Sequence, residues 1–233
     1  AIISSAALLN ALDIAKKKID KVKVVVSGAG ASALSCVKLY RSLGVKLQNI
    51  FMYDSKGLIW KGREGLDKMK ATYAVHKTDI DFRDAFKKAD VFLGLSRAGL
   101  VSKEMIADMA KNPIVFALAN PEPEIPYKQA TAARKDIIMA TGRSDHPNQV
   151  NNVLGFPFIF RGALDVRATT INEEMKLAAV HAIADLAKET IPEEVIEAYG
   201  EKSISFGKEQ IIPKPLDPRL IYKVAPAVAK AAM

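Results

Sequence analysis

The sequence predicts an α/β fold, a doubly wound parallel sheet flanked by helices, with extra helices at the N- and C-terminal ends. Three observations predict it. Short apolar runs alternate with stretches of helical periodicity, which is typical of β-α-β units. A glycine-rich turn lies directly between the first apolar run and the helix that follows it. Polar, loop-like segments follow the later runs, as expected beyond the carboxyl ends of parallel strands.

The composition is that of a folded domain with anionic partners. The chain has 233 residues, of which 49% are hydrophobic and 26% charged, so an ordinary buried core is expected. Its formal net charge of +8 favours a dinucleotide phosphate or an organic acid as partner. The basic residues are spread out, so no nucleic-acid partner is expected. No apolar run approaches the ~20 residues that cross a bilayer, so no membrane partner is expected.

The cysteine and histidine residues predict neither a disulfide nor a metal site. Cys36 is the single cysteine, so a reducing, cytoplasmic location is expected. Cys36 lies inside a predicted helix, which favours a small buried apolar role over a nucleophilic one. The three histidines, His76, His146 and His181, are isolated and show no metal-ligand spacing.

Residues 1–20 are predicted to form a leading helix. Four apolar residues share one face of it: Leu8, Leu12, Ala15 and Ile19. No capping box precedes the helix, and the chain does not begin with Met, which hints at a piece of a longer protein. The basic run at 16–18 is interpreted as the solvated end of this helix.

Residues 21–170 are predicted to form the core of the fold. Five apolar or β-branched runs predict its strands: 23–27, 49–53, 90–94, 114–119 and 137–140. Three stretches of helical spacing predict its helices: 32–43, 79–88 and 102–110. Gly44 is expected to end the first of these helices, and Ser102 to cap the third.

Residues 171–233 are predicted to form a C-terminal helical segment. Residues 173–188 have a strong apolar helical face, and residues 213–218 are interpreted as an extended connector between prolines. A final helix is expected over 219–233, interrupted or kinked near Pro226, because proline removes a helical hydrogen bond.

The turn after the first strand matches the G-x-G-x-x-A fingerprint of dinucleotide-binding proteins. Gly28 permits a tight turn, and Gly30 lets the backbone approach a pyrophosphate. Ala33 lets the helix pack closely on the strand, and the first N–H groups of the helix face the anion. The fold is therefore predicted to be Rossmann-like, with cofactor-binding residues Gly28, Ala29, Gly30, Ala31, Ser32 and Ala33.

The end of the second strand bears on the choice of cofactor. Asp54 is placed to accept hydrogen bonds from ribose hydroxyls, which favours NAD. Lys56 lies two residues on, followed by Lys61 and Arg63, and a cation here can bind the extra phosphate of NADP. These residues leave NAD and NADP both open.

Polar segments follow the later strands. Residues 96–99 predict a loop over the cofactor, and Asn120 is placed to meet a nicotinamide, a ribose or a substrate hydroxyl. The alternative for Asn120 is a turn-forming role before proline. Residues 142–152 form a polar stretch that includes Asp145, for which a local turn or capping role is favoured.

These motifs together resemble one family. They are, in order, VVVSGAGASA, YDSKG with IWKGR, FLGLSRAG, FALANPEPEI, ATGRSDHPNQVNN and FIFRGAL. Nearly end to end, they resemble the NAD(P)-binding domain of malic enzymes. The tail IIPKPLDPRLIYKVAPAVAKAAM resembles the segment before the phosphotransacetylase-like domain of large bacterial malic enzymes, which are usually NADP-linked.

The resemblance implies oxidative decarboxylation of malate to pyruvate and CO₂. It favours NADP over NAD as the cofactor. It implies that Asn120 and Asn152 contact nicotinamide and malate, with Asn151 a weaker candidate for malate. The family's catalytic Tyr and Lys, and the acidic ligands of Mg²⁺ or Mn²⁺, are expected in a domain N-terminal to residue 1. No catalytic or metal-binding residue is therefore assigned here, and the isolated chain is expected to be inactive and its parent homo-oligomeric.

Two other functions are weighed against this one. The first is a binding module that holds a dinucleotide and turns nothing over alone. The second is the NAD(P)-binding domain of an amino-acid dehydrogenase, which does not account for ATGRSDHPNQVNN.

Overall fold

The five apolar runs of the sequence form the parallel strands of one sheet. The strands are β1 Val24–Ser27, β2 Ile50–Asp54, β3 Gly57–Leu58, β4 Val91–Gly94, β5 Ile114–Ala117 and β6 Ile138–Thr141. The computed structural model describes residues 1–76 and 80–233, and within them the strand order is β3-β2-β1-β4-β5-β6. β3, which the sequence did not predict, pairs antiparallel with β2, and the other neighbours are parallel.

Helices precede, connect and follow these strands. They are α1 Ile2–Ala15, α2 Ala31–Ser42, α3 Lys68–Ala71, α4 Phe82–Ala85, α5 Lys103–Ala107, α6 Tyr127–Ala133, α7 Phe158–Asp165, α8 Glu173–Leu186, α9 Glu193–Ala198 and α10 Arg219–Ala232. None of the helices in the described ranges has the length and apolar composition needed to cross a membrane.

Helices cover both faces of the sheet, so the doubly wound fold is confirmed. Val24 and Val26 of β1 pack into a core shared with α1, α2, α8 and α10. Val25 points to the opposite face, into a second core formed with α4, α5 and α6. Because both faces are buried, the parallel strands are apolar at successive positions, which is why they appear in the sequence as continuous runs.

The strand order positions the functional site. β1 lies between β2 and β4, so the connections that leave β1 and β2 run to opposite sides of the sheet. A crevice opens at such a reversal, beyond the carboxyl ends of the strands, and this is where α/β sheets bind ligands.

The leading helix is shorter than predicted. Leu8 and Leu12 are buried as expected, but α1 ends at Ala15 because Lys16 adopts a left-handed conformation with φ of 55°. Ile19 therefore lies outside the helix. The interpretation of 16–18 as a solvated run is wrong at its centre, since the Lys17 side chain is only 14% exposed and its Nζ lies 2.5 Å from Asp90 Oδ1.

The core helices are also shorter than predicted. α4 spans Phe82–Ala85 rather than 79–88, because Lys88 has a φ of 56° and its N–H donates to Asp108 O after α5. Asp79, where the sequence placed the start of this helix, lies outside the described residues. The predicted cap of α5 is confirmed: Ser102 Oγ accepts a hydrogen bond from Met105 N at 3.4 Å.

The boundaries of the remaining elements agree more closely with those predicted from the sequence. Gly44 follows α2 with a φ of 119°, as its predicted role requires. The strand predicted over 114–119 ends at Ala117. α8 matches the predicted helix to within two residues, and α10 is continuous through Pro226 rather than interrupted. The sequence did not predict α3, α6, α7 or α9.

An ion pair joins α5, α6 and β6. The Arg134 guanidinium donates to both carboxylate oxygens of Asp136, at 2.8 and 2.7 Å, and to the carbonyl oxygens of Met109 and Ala110. Asn112 N also donates to Asp136 Oδ2, at 2.7 Å. The hydrogen bond from Arg134 is the main reason that the pKa of Asp136 lies well below its ordinary value, although partial burial opposes the shift.

Replacing Asp136 with asparagine is expected to lower the free energy of unfolding at pH 7 by about 1–3 kcal/mol. Because the folded pKa is depressed, the contribution of Asp136 is present above the unfolded pKa of about 3.9 and is lost as the pH falls through the folded value. Urea unfolding of both proteins at several pH values measures this, with the exposed neighbour Asp108→Asn as control. A stability difference that persists undiminished in strong acid would contradict the assignment.

Candidate functional site

A cleft of about 720 Å³ opens at the carboxyl ends of β1, β2 and β4. The glycine turn after β1, the end of β2 and the loop after β4 all line this cleft. Among the residues that line the cleft are Gly28, Gly30, Asp54, Lys70, Ser96 and Arg97. The predicted turn, the predicted acid and the predicted loop therefore meet at the switch point of the sheet.

The first glycine of the turn is required by backbone geometry. Gly28 has a φ of +105°, and its N–H donates to Tyr53 O at 2.8 Å. A Cβ at this position would lie 2.5 Å from the carbonyl oxygen of Leu95. A side chain would therefore force β1 and the loop after β4 apart.

The second glycine leaves room for a ligand. Gly30 has ordinary backbone angles, with a φ of −82°, and a Cβ added there would meet no atom within 4 Å. Gly30 is the N-cap of α2 and provides no side-chain cap, so the positive end of a 12-residue helix opens onto the cleft. This combination can hold a phosphate group through backbone N–H donors.

The other residues of the turn divide by exposure. Ala29 and Ala33 are buried, and Ala33 packs in the core between α2 and the sheet. Ala31 and Ser32 are exposed at the first turn of α2. Alanine side chains have no polar atoms, so any contact with an anion at Ala29, Ala31 or Ala33 comes from the backbone.

Asp54 is held by neighbouring cations. Arg63 donates to both of its carboxylate oxygens, at 3.0 and 2.5 Å, and Lys56 N donates to Oδ1 at 2.9 Å. Lys70 Nζ lies 3.7 Å from Oδ2. Burial raises the pKa of Asp54, but the hydrogen bonds and charges of these groups outweigh it and leave the pKa below its ordinary value. The Asp54 carboxylate is therefore ionised, and both its oxygens are engaged.

The cations that follow Asp54 have different environments. Arg63 also donates to the carbonyl oxygens of Gly57 and Leu58, so it stabilises the β2–β3 hairpin. Lys61 lines a separate cavity beside His76, and Lys56 is exposed outside the residues that line the cleft. Lys70, which lines the cleft, was not predicted from the sequence. It lies on a four-residue helix with no sequence pattern that would relate it to Asp54.

The loop after β4 is anchored by buried groups. The hydroxyl oxygens of Ser27 and Ser96 are 2.6 Å apart. Ser96 N donates to Glu124 Oε1 at 2.9 Å, and Ala119 N donates to Oε2 at 3.1 Å. Glu124 has no exposed surface, and its burial raises the pKa of its carboxyl group, against the effect of these N–H donors. This role of Glu124 was not predicted from the sequence.

The three asparagines predicted to contact nicotinamide or malate are not among the residues that line this cleft. Asn120 is exposed beyond the end of β5. The Asn151 side chain accepts a hydrogen bond from Val153 N at 3.1 Å and caps the short turn at 152–154. Asn152 is exposed and lines a second cavity, of about 530 Å³, together with Lys38 of α2. Their roles toward a ligand stay predictions.

The polar stretch after β6 is held by local and long-range contacts. Asp145 pairs with Arg143 at 2.8 Å, and that hydrogen bond lowers the pKa of Asp145 to about 2. The His146 ring stacks on Tyr127, with centroids 4.6 Å apart. Asn148, which was not predicted as a key residue, is buried and makes three hydrogen bonds through its side chain.

The cysteine and the remaining histidines differ in their exposure. Cys36 is buried, as predicted, while His76 and His181 are exposed. Over residues 1–76 and 80–233, no group of three or more His, Cys, Asp or Glu side chains could hold a metal ion.

Comparison with known proteins identifies the family. The family model described as "Malic enzyme, NAD binding domain" matches residues 1–197 of this chain. The chain belongs to the malic enzyme family. Its Rossmann-type fold agrees with that assignment, because a malic enzyme from Entamoeba histolytica superposes with a TM-score of 0.86 at 38% identity. That superposition covers 99% of this chain and 46% of the E. histolytica malic enzyme.

Curated malic enzymes match the whole chain. It is 55% identical to a protein of Halomonas elongata named NADP-dependent malic enzyme, covering 100% of this chain and 55% of that protein. It is 54% identical to a protein of Rhizobium meliloti named NAD-dependent malic enzyme, covering 100% of this chain and 30% of that protein. The chain thus spans between about a third and about half of the length of these malic enzymes.

Proposed function

We propose that this chain binds a nicotinamide dinucleotide, NADP in preference to NAD, for an enzyme that converts malate to pyruvate and CO₂. One observation carries the proposal: the open position at Gly30, where the positive end of α2 meets a cleft of about 720 Å³. A pyrophosphate fits this place because backbone N–H groups surround it and no side chain fills it.

The residues of the cleft suit the parts of such a cofactor. The turn from Gly28 to Ala33 would hold the pyrophosphate through backbone N–H groups. The adenosine half would lie beside Asp54 at the end of β2, and the nicotinamide half beside the loop at 96–99. When bound, the cofactor accepts a hydride from C2 of malate. The chain's own contribution is to bind the cofactor, orient its ring and exclude water.

The rest of the reaction is proposed from the family. Asn120, Asn151 and Asn152 are proposed to contact malate, and Asn120 and Asn152 also the nicotinamide. Mg²⁺ or Mn²⁺, held by residues outside this chain, would polarise the carbonyl of the oxidised intermediate. We take residues 1–233 as one dinucleotide-binding domain of a cytoplasmic homo-oligomer without nucleic-acid or membrane partners.

The preference for NADP rests on the charges around Asp54. Its carboxylate already accepts hydrogen bonds from Arg63 and from Lys56 N, so it has little capacity left for ribose hydroxyls. Lys70 lines the cleft next to it, with a side chain 29% exposed. An ammonium group at this place favours the additional phosphate of NADP.

Replacing Lys70 with glutamine is expected to raise the dissociation constant for NADPH about tenfold, because a charge-assisted contact with the phosphate is lost. Affinity for NADH should stay within about twofold, since NADH lacks that phosphate. Lys68→Gln, on the same helix but outside the cleft lining, is the matched control. Equal losses of affinity for NADPH and NADH would show that Lys70 does not contact the additional phosphate of NADPH.

Titration of the chain with NADPH and then NADH, followed by nucleotide fluorescence, tests the proposed function. Saturable binding, tighter for NADPH, is expected. Tighter binding of NADH would overturn the cofactor preference and leave the cleft assignment in place. If neither nucleotide bound, the chain would not hold the dinucleotide by itself, and the role given to Gly30 and α2 would fall.

A further inference from the structure

A single acidic residue fastens both ends of the loop that follows β4. Ser96 N, at the start of the loop, donates to the carboxylate of Glu124 at 2.9 Å. Val101 N, at its end, donates to the main-chain oxygen of the same Glu124 at 3.0 Å. Between them, Gly99 N donates to Pro123 O at 3.3 Å. The cleft loop is thus attached along its length to the segment after β5.

The carboxylate of Glu124 also fixes the chain next to Asn120. Its second oxygen accepts a hydrogen bond from Ala119 N at 3.1 Å. The carboxylate lies directly on the backbone of β4, since a Cβ added to Gly94 would be 2.3 Å from Glu124 Cδ. Glu124 is completely buried. One carboxylate therefore sets the spacing between the two segments that leave β4 and β5.

We propose that Glu124 is a positioning residue that holds the nicotinamide side of the cleft, through its hydrogen bonds to Ser96 N and Ala119 N. This inference rests on the proposed function, since it assumes that the cleft binds a nicotinamide dinucleotide. Glu124 is not one of the described residues that line the cleft. It acts through Ser96, which lines the cleft and whose hydroxyl contacts that of Ser27, another lining residue.

Only a carboxylate satisfies both N–H groups. An ionised carboxylate is acceptor-only, whereas an amide has one acceptor oxygen and one donor NH₂ group. In Glu124→Gln, the NH₂ group must face Ser96 N or Ala119 N, and two donors cannot bond to each other. One buried N–H is then left without a partner, and the segment that carries it shifts.

Binding measurements on the two halves of the dinucleotide distinguish this positioning role from a general structural role. The adenosine half lies at β1 and β2, away from Glu124, and the nicotinamide half lies at β4 and β5. Loss of the Glu124 contacts should therefore weaken binding of the whole dinucleotide and spare binding of 2′,5′-ADP, which contains only the adenosine half. A variant that merely loosened the whole domain would weaken both ligands.

The test compares Glu124→Gln with Glu122→Gln, an exposed acid two residues earlier in the same segment. For Glu124→Gln, the dissociation constant for NADPH should rise about tenfold or more, while that for 2′,5′-ADP stays within about twofold. Glu122→Gln should change neither. Unchanged NADPH binding in Glu124→Gln, or equal losses for both ligands, would overturn the proposal. An unmodified chain that bound neither ligand would overturn the proposed function itself.

Two further measurements apply if Glu124→Gln fails to fold. Gly94→Ala presses a methyl group against the carboxylate and should produce the same selective loss of NADPH binding. In the unmodified protein, hydrogen exchange at Ser96 N and Ala119 N should be slow, because both donate to a buried acceptor. Fast exchange at both amides would show that the carboxylate does not hold them.

Discussion

Gly30→Val is expected to raise the dissociation constant for NADPH by at least about 100-fold, which corresponds to ~2.7 kcal/mol, while the domain stays folded. The position is open, with no atom within 4 Å of an added Cβ, so the free protein has space where the side chain begins. In the complex it would occupy the place of the pyrophosphate and keep it from the N–H groups at the start of α2. The lost contacts are charge-assisted hydrogen bonds, the strong class.

Fluorescence titration measures the affinity of Gly30→Val, and thermal unfolding shows whether the fold is kept. Gly142→Val is the matched control, because Gly142 is also in open space without a positive φ and lies outside the residues that line the cleft. It should bind NADPH as the unmodified chain does. Undiminished binding of NADPH by Gly30→Val would show that this turn does not bind the pyrophosphate.

Asn148→Ala is expected to lower the free energy of unfolding by about 3–5 kcal/mol, since each buried group left unpaired costs about 1–3 kcal/mol. The Asn148 amide donates to Met139 O at 2.9 Å and to Lys208 O at 2.7 Å, and its oxygen accepts from Ile211 N at 2.9 Å. It thereby fastens β6 to a segment about 60 residues later. Asn148 also has a φ of 58°, a conformation that asparagine tolerates better than alanine does.

Urea unfolding of Asn148→Ala and Asn148→Gly separates these two effects, because glycine relieves the backbone strain without restoring the hydrogen bonds. The glycine variant should recover only the smaller part of the loss. Gln149→Ala, which removes one longer hydrogen bond of 3.4 Å to Gly142 O, should change stability little. A full recovery in Asn148→Gly would mean that the side-chain contacts contribute nothing.

Much of the fold could be predicted because it follows from short-range patterns. Strands buried on both faces, such as β1 and β5, are continuous apolar runs and stand out without any knowledge of their partners. The cap at Ser102 and the glycine at Gly44 are equally local signals. The short helices α3, α6 and α9 were missed because four to seven residues give too little periodicity to recognise.

The candidate site could be predicted where its residues belong to one motif with fixed spacing. The turn from Gly28 to Ala33 and the acid Asp54 occur at fixed places in a β-α-β unit, so one motif predicts both. Lys70 and Glu124 were missed because they reach their partners through the fold. Lys70 is 16 positions from Asp54, and Glu124 is 28 positions from Ser96.

By itself, the sequence determined the α/β alternation, the glycine turn and the family to which these motifs belong. Each depends on residues that are close together in the chain, so the periodicity and spacing of the sequence are enough to recognise it. Only the tertiary structure decided that Lys17 is an ion-pair partner of Asp90, that Arg63 neutralises Asp54, and that Asn148 closes the chain onto β6. The physical reason is that a polar side chain becomes buried only when the fold brings a matching partner to it, and nothing in its local pattern specifies that partner.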